Sequence, residues 1–531
     1  SNVYEIDEKT AIKIYNPHKY HCIDFCSTFV SEITHMLTLS HSSMVPGIQN
    51  IHLHSMKIDD IQQYGFSMPR FHKTLCDVIK ERQMSIKEIK KIIFDIICCL
   101  AYAQENFIIH RDIKSSNILI NTTDNTLVII DWGLATSSIS NYIAHDTNPV
   151  QTVWYRCPEH LYGFTEHYNN PTIDMWSVGI MFIEMLLGDI GIIGNKTVDD
   201  FLFSTQLIES IGFPPDENIK AKVLRSLCNM KINYNLKHTQ SSNQYKKDLT
   251  DLYTTSSSII EKMIDDHNLD QSCQNFLFGL LEWDQNKRLD PISALEHEYL
   301  ADMYEEFIMT HNKIFTKDPM TNLDNMSDFR SKISDIAQLN EQYLKKNVRQ
   351  HYIDSYELIQ DSLRELMSWQ MCILMISYTD RIMGIYPILS KYDDSIIICS
   401  IANIVLLVTV KDSLHENHLH HIKKNILKFP DSTPEISIRN CIELIILQLG
   451  LPLPLKTHSS YQILLYNLHP AIAQLYADLC LAICRDINYI NLSAKCVYKI
   501  IISILCLHSC DIGGHVMKFN EELSKCEIML Y

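Results

Sequence analysis

The chain has 531 residues and a formal net charge of −17, from 46 Lys and Arg against 63 Asp and Glu. An acidic chain is a poor candidate for direct nucleic-acid binding, because affinity for the phosphate backbone comes from clustered cations. Hydrophobic residues make up 46% and charged residues 21% of the chain, a globular mix that excludes a collagen-like or coiled-coil protein. The length predicts roughly three to four domain-sized units.

Cysteine usage and apolar patterning indicate the cellular compartment of the protein. Its 17 cysteines are an odd number and form no C-x-x-C pair, which is typical of a reducing compartment. The N-terminus shows no secretory signal, and the most apolar run, Ser395 to Val410, is shorter than the roughly 20 residues that span a membrane. We expect an intracellular protein, cytoplasmic or nuclear, that is not secreted and does not contact membranes. The run from Ser395 to Val410 should form a buried core helix.

The first 80 residues mix strand and helix signals. Two short alternating stretches, Val3 to Glu5 and Thr10 to Tyr15, flank a polar turn and predict a β-hairpin. Apolar residues at helical spacing predict a helix from Phe25 to Leu39. This part of the chain should form a small mixed lobe.

The rest of the chain reads as mainly helical. Ile92 to Ala103 and Asp174 to Leu187 are apolar on nearly all faces and should be buried helices. Residues 305–337 are polar and predict a linker, after which apolar segments with short loops continue. The pattern predicts a larger helical lobe followed by a separate all-helical domain.

Three motifs follow one another in the helical lobe: His110-Arg111-Asp112-Ile113-Lys114-Ser115-Ser116-Asn117, Asp131-Trp132-Gly133 and Cys157-Pro158-Glu159. They resemble the H-R-D-x-K-x-x-N, D-F-G and A-P-E motifs of eukaryotic protein kinases. Each tripeptide alone is a weak signal, but their order and spacing are specific. The resemblance implies an α+β, two-lobed protein kinase fold, with an N-lobe over residues 1–80 and a C-lobe over residues 81–304. It also implies a Ser/Thr protein kinase that uses ATP and Mg²⁺.

The same resemblance assigns the chemistry to four residues. Asp112 would orient the substrate hydroxyl and accept its proton, and Lys114 would offset charge on the transferred phosphoryl group. Asn117 and Asp131 carry hard oxygen ligands suited to Mg²⁺. These residue types fit because phosphoryl transfer depends on positioning and charge neutralisation more than on covalent help.

Nucleotide binding is assigned in the same way. Ala11-Ile12-Lys13 matches the V-A-I-K strand, so Lys13 would hold the α- and β-phosphates with Glu32 as its partner. The residues expected to enclose the adenine or form the hinge are Val3, Ala11, Leu119 and the segment Met68 to Phe71. Ser1-Asn2-Val3 matches only the end of the Gly-rich phosphate loop. Its glycines would lie before Ser1, or part of the phosphate lid is lacking.

Three further matches are structural rather than catalytic. Asp174 resembles the buried aspartate that braces the catalytic loop. Glu159 and Arg288 resemble the buried ion pair of the large lobe. Losing one partner of such a pair would cost roughly 3–5 kcal/mol.

Two segments resemble cyclin-dependent kinases in particular. Cys26 to Glu32 resembles the P-S-T-A-I-R-E helix, and Gly194 to Phe201 resembles the start of that group's insert. In that family the helix with the glutamate moves inward only when a cyclin packs against it, so binding to one of two states shifts the population.

The C-terminal region in turn resembles a cyclin. Val348 to Asp354 resembles the start of a cyclin box, and Ile373 to Met383 resembles its third helix. This implies a cyclin box over residues 338–455 and a degenerate second repeat over residues 456–531. The alternative is a generic helical bundle. The residues expected to contact the kinase are Lys411 and Glu443.

The activation segment departs from the family pattern. Thr147 falls where the activating phosphothreonine is expected, and the family holds that phosphate with three arginines. Arg111 is one of them, whereas the other two positions are occupied by Ser31 and Thr136. Because the charged hydrogen bonds from those two positions are missing, we expect weak or no dependence on phosphorylation of Thr147.

Arg156 and the loop before it resemble the pocket of proline-directed kinases, although Gln151 stands in place of a valine. The resulting hypothesis is a Ser/Thr kinase of cyclin-dependent type, activated in cis by its own cyclin-like domain and acting on Ser/Thr-Pro sites in proteins. One alternative is a catalytically inactive scaffold that recruits other kinases. The other is a helical domain that engages a separate kinase in trans. A compact fusion of this kind would suit a large DNA virus.

Overall fold

The structure of the chain, a computed structural model, describes residues 2–15, 27–40, 42–58, 61–121, 126–137, 151–163, 170–191, 199–237, 258–307, 348–363, 369–382, 389, 391–409, 421–428, 437–438, 440–442 and 444–445. Residues 308–337 of the predicted linker and the predicted second repeat at 456–531 lie outside these ranges. The described residues form a small sheet lobe, a larger helical lobe and a further group of helices.

The small lobe is built on a four-stranded antiparallel sheet with the strand order β1-β2-β4-β3. Its strands are β1 (Asn2–Glu5), β2 (Thr10–Tyr15), β3 (Asn50–Ile58) and β4 (Ile61–Pro69). The hairpin prediction is confirmed, since β1 and β2 pair with Val3 opposite Lys13. The predicted helix is α1 (Ser27–Thr38), and its Phe29 ring packs edge-on against Tyr15 of β2 at 5.2 Å between centroids. Helix α1 is thereby placed beside the sheet face that carries Lys13.

The larger lobe is mainly helical, as the sequence predicts. Its helices are α2 (Leu75–Glu81), α3 (Ile86–Glu105), α4 (Pro158–Leu161), α5 (Thr172–Leu187), α6 (Asp200–Ile211), α7 (Glu217–Lys237), α8 (Ser258–His267), α9 (Gln271–Leu280) and α10 (Pro291–Leu295). Its short strands are β5 (Lys73–Thr74), β6 (Ile108–Ile109), β7 (Ile118–Ile120), β8 (Leu127–Ile129) and β9 (Thr136–Ser137). Strands β5, β7 and β8 form one small sheet, and β6 pairs with β9.

Helix α5 is the central support of this lobe. Every residue from Thr172 to Leu186 is buried, as the all-round apolar pattern predicts, and the helix packs against α3 and α9. Gly188 ends it in the left-handed region with φ 68°, which suits a residue without a Cβ. A helix this well packed gives a fixed base for the loops that meet its first turn.

The further helices are α11 (Val348–Ser362), α12 (Trp369–Ile382) and α13 (Asp394–Thr409), which pack against one another. A π-helical turn, Ile422–Ile426, follows. The apolar run predicted to be a buried helix is α13, whose residues Ile397 to Leu406 are at most 1% exposed. Helix α13 also packs against α1 and β9. Among the described residues, none of the helices is long and apolar enough to cross a membrane.

Candidate active site

The loop from His110 to Asn117 is anchored to the first turn of α5. The buried carboxylate of Asp174 accepts hydrogen bonds from the backbone N–H groups of His110 and Arg111, both at 2.8 Å. Burial raises the pKa of Asp174 to about 7, against the opposing effect of the two amides. Arg111 is in the left-handed region with φ 64°, so the loop turns sharply before Asp112. The bracing role expected of Asp174 is confirmed.

Asp112 is held by donors from two segments of the chain. The Lys114 ammonium lies 2.6 Å from its Oδ2, and the Thr152 hydroxyl lies 3.0 Å from its Oδ1. The backbone N–H of Thr152 donates to the same Oδ1 at 3.2 Å, and the Asn117 amide donates to Oδ2 at 3.2 Å. Asp112 is only 6% exposed. A carboxylate oriented in this way can accept a proton from a hydroxyl placed against it.

Lys13 joins the two lobes through a charge cluster in which Lys13 and Glu32 are buried and Asp131 is partly exposed. Its ammonium lies 2.7 and 2.8 Å from the two carboxylate oxygens of Glu32 on α1. It also lies 2.7 Å from Oδ1 of Asp131. Burial disfavours the charge on Lys13, but the two carboxylates outweigh it and raise its pKa. The expected pairing of Lys13 with Glu32 is confirmed, and the site holds a fixed ammonium that suits anionic phosphates.

The sequence reasoning missed Tyr15, which belongs to this cluster. Its buried hydroxyl donates to Oε2 of Glu32, and the Lys13 ammonium lies 5.6 Å from the centre of its ring. The signal was available, because alternate residues of a strand share one face and Tyr15 follows Lys13 by two positions. Glu32 is consequently held by two residues of β2.

Asp131 is placed by a tight turn beneath α1. It is in the left-handed region with φ 66° and ψ 52°, and Lys13 outweighs burial to lower its pKa. A Cβ on the next glycine, Gly133, would stand 2.8 Å from Cγ2 of Thr28 in α1, so a side chain there would force Thr28 to shift. Trp132 between them is fully buried, donates to the carbonyl of Ile129 at 2.9 Å and packs edge-on against His110. Tryptophan therefore fills the position of the family's phenylalanine.

Asn117 and Asp131 are the candidates for holding Mg²⁺. Asn117 donates its amide N–H group to the backbone carbonyl of Asp112 at 2.8 Å, which orients its amide oxygen as the ligand atom. An amide oxygen and a carboxylate are hard ligands, and Mg²⁺ is usually bound by one or two carboxylates together with substrate phosphates. No group of three or more His, Cys, Asp or Glu side chains within the described ranges could hold a metal ion by itself. The donor set fits magnesium that arrives with a nucleotide.

The residues expected around the adenine lie on or next to four strands. Ala11 of β2 and Met68 of β4 are buried and directly paired across the sheet. Val3 lies on the edge strand β1 and is 54% exposed, whereas Leu119 of β7 and Phe71 after β4 are half-buried. Their role in nucleotide binding stays a prediction.

The segment from Gln151 to Cys157 has an unusual backbone. Gln151 is in the left-handed region with φ 70°, and its carbonyl accepts a hydrogen bond from Arg156 at 3.2 Å. Its side-chain amide donates to Ser177 of α5 at 3.1 Å, and Arg156 also pairs with Asp200 at 2.8 Å. The carbonyl of Gln151 is thus engaged by a side chain of the protein itself.

Three other predicted site residues, Thr147, Lys411 and Glu443, lie outside the described residues. Arg111 is buried and donates from Nε to the carbonyl of Leu134 at 2.9 Å. Ser31 and Thr136, at the positions of the two missing arginines, are buried and uncharged.

The expected lobe ion pair is present. Arg288 donates to both carboxylate oxygens of Glu159 at 2.6 and 3.0 Å, and both residues are buried. Arg288 also donates to the carbonyls of Glu282 and Thr172. These contacts fix the segment that contains Arg156 onto the helical lobe.

Comparison with known proteins agrees with this geometry. The protein kinase domain family matches residues 3–300, more than half of the chain, so the chain belongs to the protein kinase family and is of the eukaryotic type. The match ends before α11.

Two relatives are informative. The chain is 32% identical over 221 residues to "Mitogen-activated protein kinase pmk-3" of Caenorhabditis elegans, which covers 42% of each protein. It is 27% identical over 276 residues to "Stress-activated protein kinase JNK" of Suberites domuncula, which covers 52% of this chain and 70% of the relative. The chain thus spans less than half of the nematode kinase and about two thirds of the sponge kinase that it matches. These relatives support a protein kinase, and they do not distinguish a cyclin-dependent type.

Proposed function

We propose that this chain is a Ser/Thr protein kinase that transfers the γ-phosphate of ATP to hydroxyl groups of protein substrates. The observation that carries the proposal is the set of interlocked charges around Lys13 and Asp112. Lys13 is paired with both Glu32 and Asp131, and Asp112 is oriented by Lys114 and its neighbours. Phosphoryl transfer needs this kind of preorganised charge and positioning.

Each residue has a separate task in this mechanism. Asp112 orients the substrate hydroxyl and accepts its proton as the oxygen attacks phosphorus. Lys114 lies beside Asp112 and offsets negative charge on the transferred group. Lys13, fixed by Glu32, binds the phosphates that remain with the nucleotide. Mg²⁺ bound by Asn117 and Asp131 would neutralise phosphate oxygens.

A preference for proline after the phosphorylated residue follows from the backbone at Gln151. An ordinary residue at that position of a substrate brings an N–H group that loses its water on binding and needs an acceptor. The carbonyl of Gln151 is already engaged by Arg156 and does not serve as that acceptor. Proline has no N–H and leaves nothing unpaired. Ser/Thr-Pro sites are the substrate class that we propose.

We also propose that the C-terminal helices form a cyclin-like domain that activates the kinase in cis. Helix α13 packs against α1, which carries Glu32, and against β9, which lies between the Asp131 turn and the segment with Thr147. Contacts made only when α1 is inward stabilise the Lys13–Glu32 pair by shifting the population of states. The mitogen-activated relatives do not carry this part of the proposal. Its support is the packing of α13 and the motif resemblance.

The test is transfer of labelled phosphate from ATP by the whole chain, with no cyclin added. A Ser-Pro peptide is compared with a Ser-Ala peptide of otherwise identical sequence, and Asp112→Asn serves as the control. We expect transfer to the Ser-Pro peptide, weaker transfer to the Ser-Ala peptide and a loss on the order of 10²–10⁴-fold in the variant.

The opposing outcomes are distinct. Equal rates on both peptides would contradict the proposed preference for proline, while the proposed kinase activity would stand. No transfer by a folded chain that still shows a nucleotide-dependent thermal shift would favour the inactive scaffold.

A further inference from the structure

A buried row of hydroxyl and carboxyl groups joins the catalytic loop to the Gln151–Cys157 segment. The hydroxyls of Ser115 and Tyr155 are 2.9 Å apart, and Tyr155 donates to Oε2 of Glu184 on α5 at 2.8 Å. The other oxygen of Glu184 accepts from the backbone N–H of Gly191 at 2.7 Å. Because Tyr155 donates its proton to Glu184, it accepts the proton of Ser115. The three side-chain residues are at most 3% exposed, so the row is isolated from water.

This row is a second connection between two segments that already meet at the reacting groups. Thr152 bonds to Asp112 and to Lys114 at the surface of the site. Ser115 and Tyr155 meet again three residues further along each segment from Asp112 and Thr152. One contact would leave the segments free to pivot about it, whereas two contacts fix their relative orientation.

The segment that these contacts orient carries the groups expected to recognise the substrate. Tyr155 lies directly before Arg156, whose guanidinium engages the carbonyl of Gln151. The backbone carbonyl of Tyr155 accepts from Ser177 at 2.8 Å, so α5 holds the residue from below. Ser115 alone among these partners lies on the loop that carries Asp112.

We propose that Ser115 is a positioning residue, whose hydroxyl acts through Tyr155 to hold the substrate-recognition segment in register with Asp112. The proposal rests on the proposed kinase function and deepens it. Ser115 does not touch the reacting atoms in this view. It sets where the peptide lies relative to Asp112, whereas Lys13, Glu32 and Asp131 of the proposed phosphate site lie in other parts of the chain.

The chain offers a matched control in the neighbouring Ser116, which is exposed. Ser115→Ala and Ser116→Ala make the same chemical change one residue apart. For the whole chain acting on a Ser-Pro peptide, we expect Ser115→Ala to lower kcat/KM about fivefold, the effect of one buried hydrogen bond. KM for ATP should be unchanged, and Ser116→Ala should match the wild type. Tyr155→Phe should lower kcat/KM at least as much, and adding Ser115→Ala to it should cause little further loss, because the shared bond is already gone.

A second measurement does not depend on activity. Backbone amide hydrogen exchange in residues 151–157 should be faster in Ser115→Ala than in the wild type, and unchanged in Ser116→Ala. If the wild type transfers no phosphate, the proposed function fails and the exchange data still decide the role of Ser115. Identical exchange and identical kinetics in the two serine variants would overturn the proposal. A rise in KM for ATP in Ser115→Ala, with kcat/KM for the peptide unchanged, would also overturn it.

Discussion

Tyr15 is a single side chain that we expect to help hold α1 in place. Its hydroxyl is a second donor to Glu32, besides Lys13. We expect Tyr15→Phe to lower kcat about fivefold, because a buried carboxylate loses one hydrogen bond and α1 is held less firmly. Tyr4→Phe on β1, where the side chain is 47% exposed, is the matched control and should behave as the wild type. Equal kcat for both variants in the peptide assay would show that Lys13 alone is sufficient.

Thr147 falls where the family has its activating phosphothreonine, but the residues expected to bind that phosphate are changed. The positions of two phosphate-binding arginines are taken by the buried, uncharged Ser31 and Thr136. The third, Arg111, already donates to the carbonyl of Leu134. Thr147→Ala should therefore keep kcat within about twofold of the wild type, since few charged hydrogen bonds are left to gain. Loss of activity in this variant would show that phosphorylation is required after all.

His110 links the site to pH. Its ring is fully buried, accepts from the N–H of Asp112 and donates to the carbonyl of Ile130, an arrangement that requires the neutral form. Burial lowers its pKa from 6.5 to about 4. Between these values the unfolded chain binds the proton and the folded chain does not. The contribution of His110 to stability should fall as the pH drops from 6.5 towards 4, and the part lost between pH 7 and pH 5 is on the order of 2 kcal/mol.

The measurement is urea denaturation at pH 7 and at pH 5. His110→Phe keeps an aromatic ring against Trp132 and cannot titrate, so its stability at pH 5 relative to pH 7 should be higher than that of the wild type by about 2 kcal/mol. His72→Gln, at an exposed position, is the control for replacing a histidine. If His110→Phe and the wild type lose the same stability between the two pH values, the neutral histidine is not the cause.

At the scale of elements, the ion pair of Glu159 and Arg288 fastens α4 to the turn before α10. Both partners are buried, so removing one leaves an uncompensated charge. Arg288→Met should destabilise the large lobe by roughly 3–5 kcal/mol, read as a lower Tm. Lys287→Met, next to it but 64% exposed, should change stability by less than about 0.5 kcal/mol. The double variant Glu159→Leu/Arg288→Met should have a higher Tm than Arg288→Met, because it no longer buries an unpaired charge. A Tm lower than that of Arg288→Met would argue against an isolated buried pair.

Local elements were predictable from the sequence, and contacts between distant elements were not. The β1–β2 hairpin and α1 follow from alternation and helical spacing within about 15 residues. The Lys13–Glu32 pair came from motif resemblance. By contrast, Tyr155 meets Ser115 across 40 residues and Glu184 across 29 residues, and no local pattern signals that pairing. The left-handed backbone of Gln151 was also hidden, because glutamine has no preference for that region and the fold imposes it.

At the scale of the whole molecule, helix α13 contacts α1 and β9. The strength with which the C-terminal helices must bind the kinase lobes depends on whether the two parts share one chain. If the proposed cyclin-like helices and the kinase lobes were separate chains, their association would depend on concentration. On one chain, the covalent connection gives an effective concentration that can reach the millimolar range. Interface contacts too weak to hold a free partner would then be sufficient to keep Glu32 beside Lys13.

This argument predicts how activity responds to dilution. With a protease site inserted in the predicted linker at 305–337, the uncut chain should keep the same specific activity from micromolar to nanomolar concentration. The cut chain should lose activity on dilution, because the two parts now separate with an ordinary Kd and α1 is released. The wild type treated with the same protease controls for damage elsewhere. A chain that ends at residue 307 and works as fast as the whole protein would contradict activation in cis, since the kinase lobes would then hold Glu32 inward without α13.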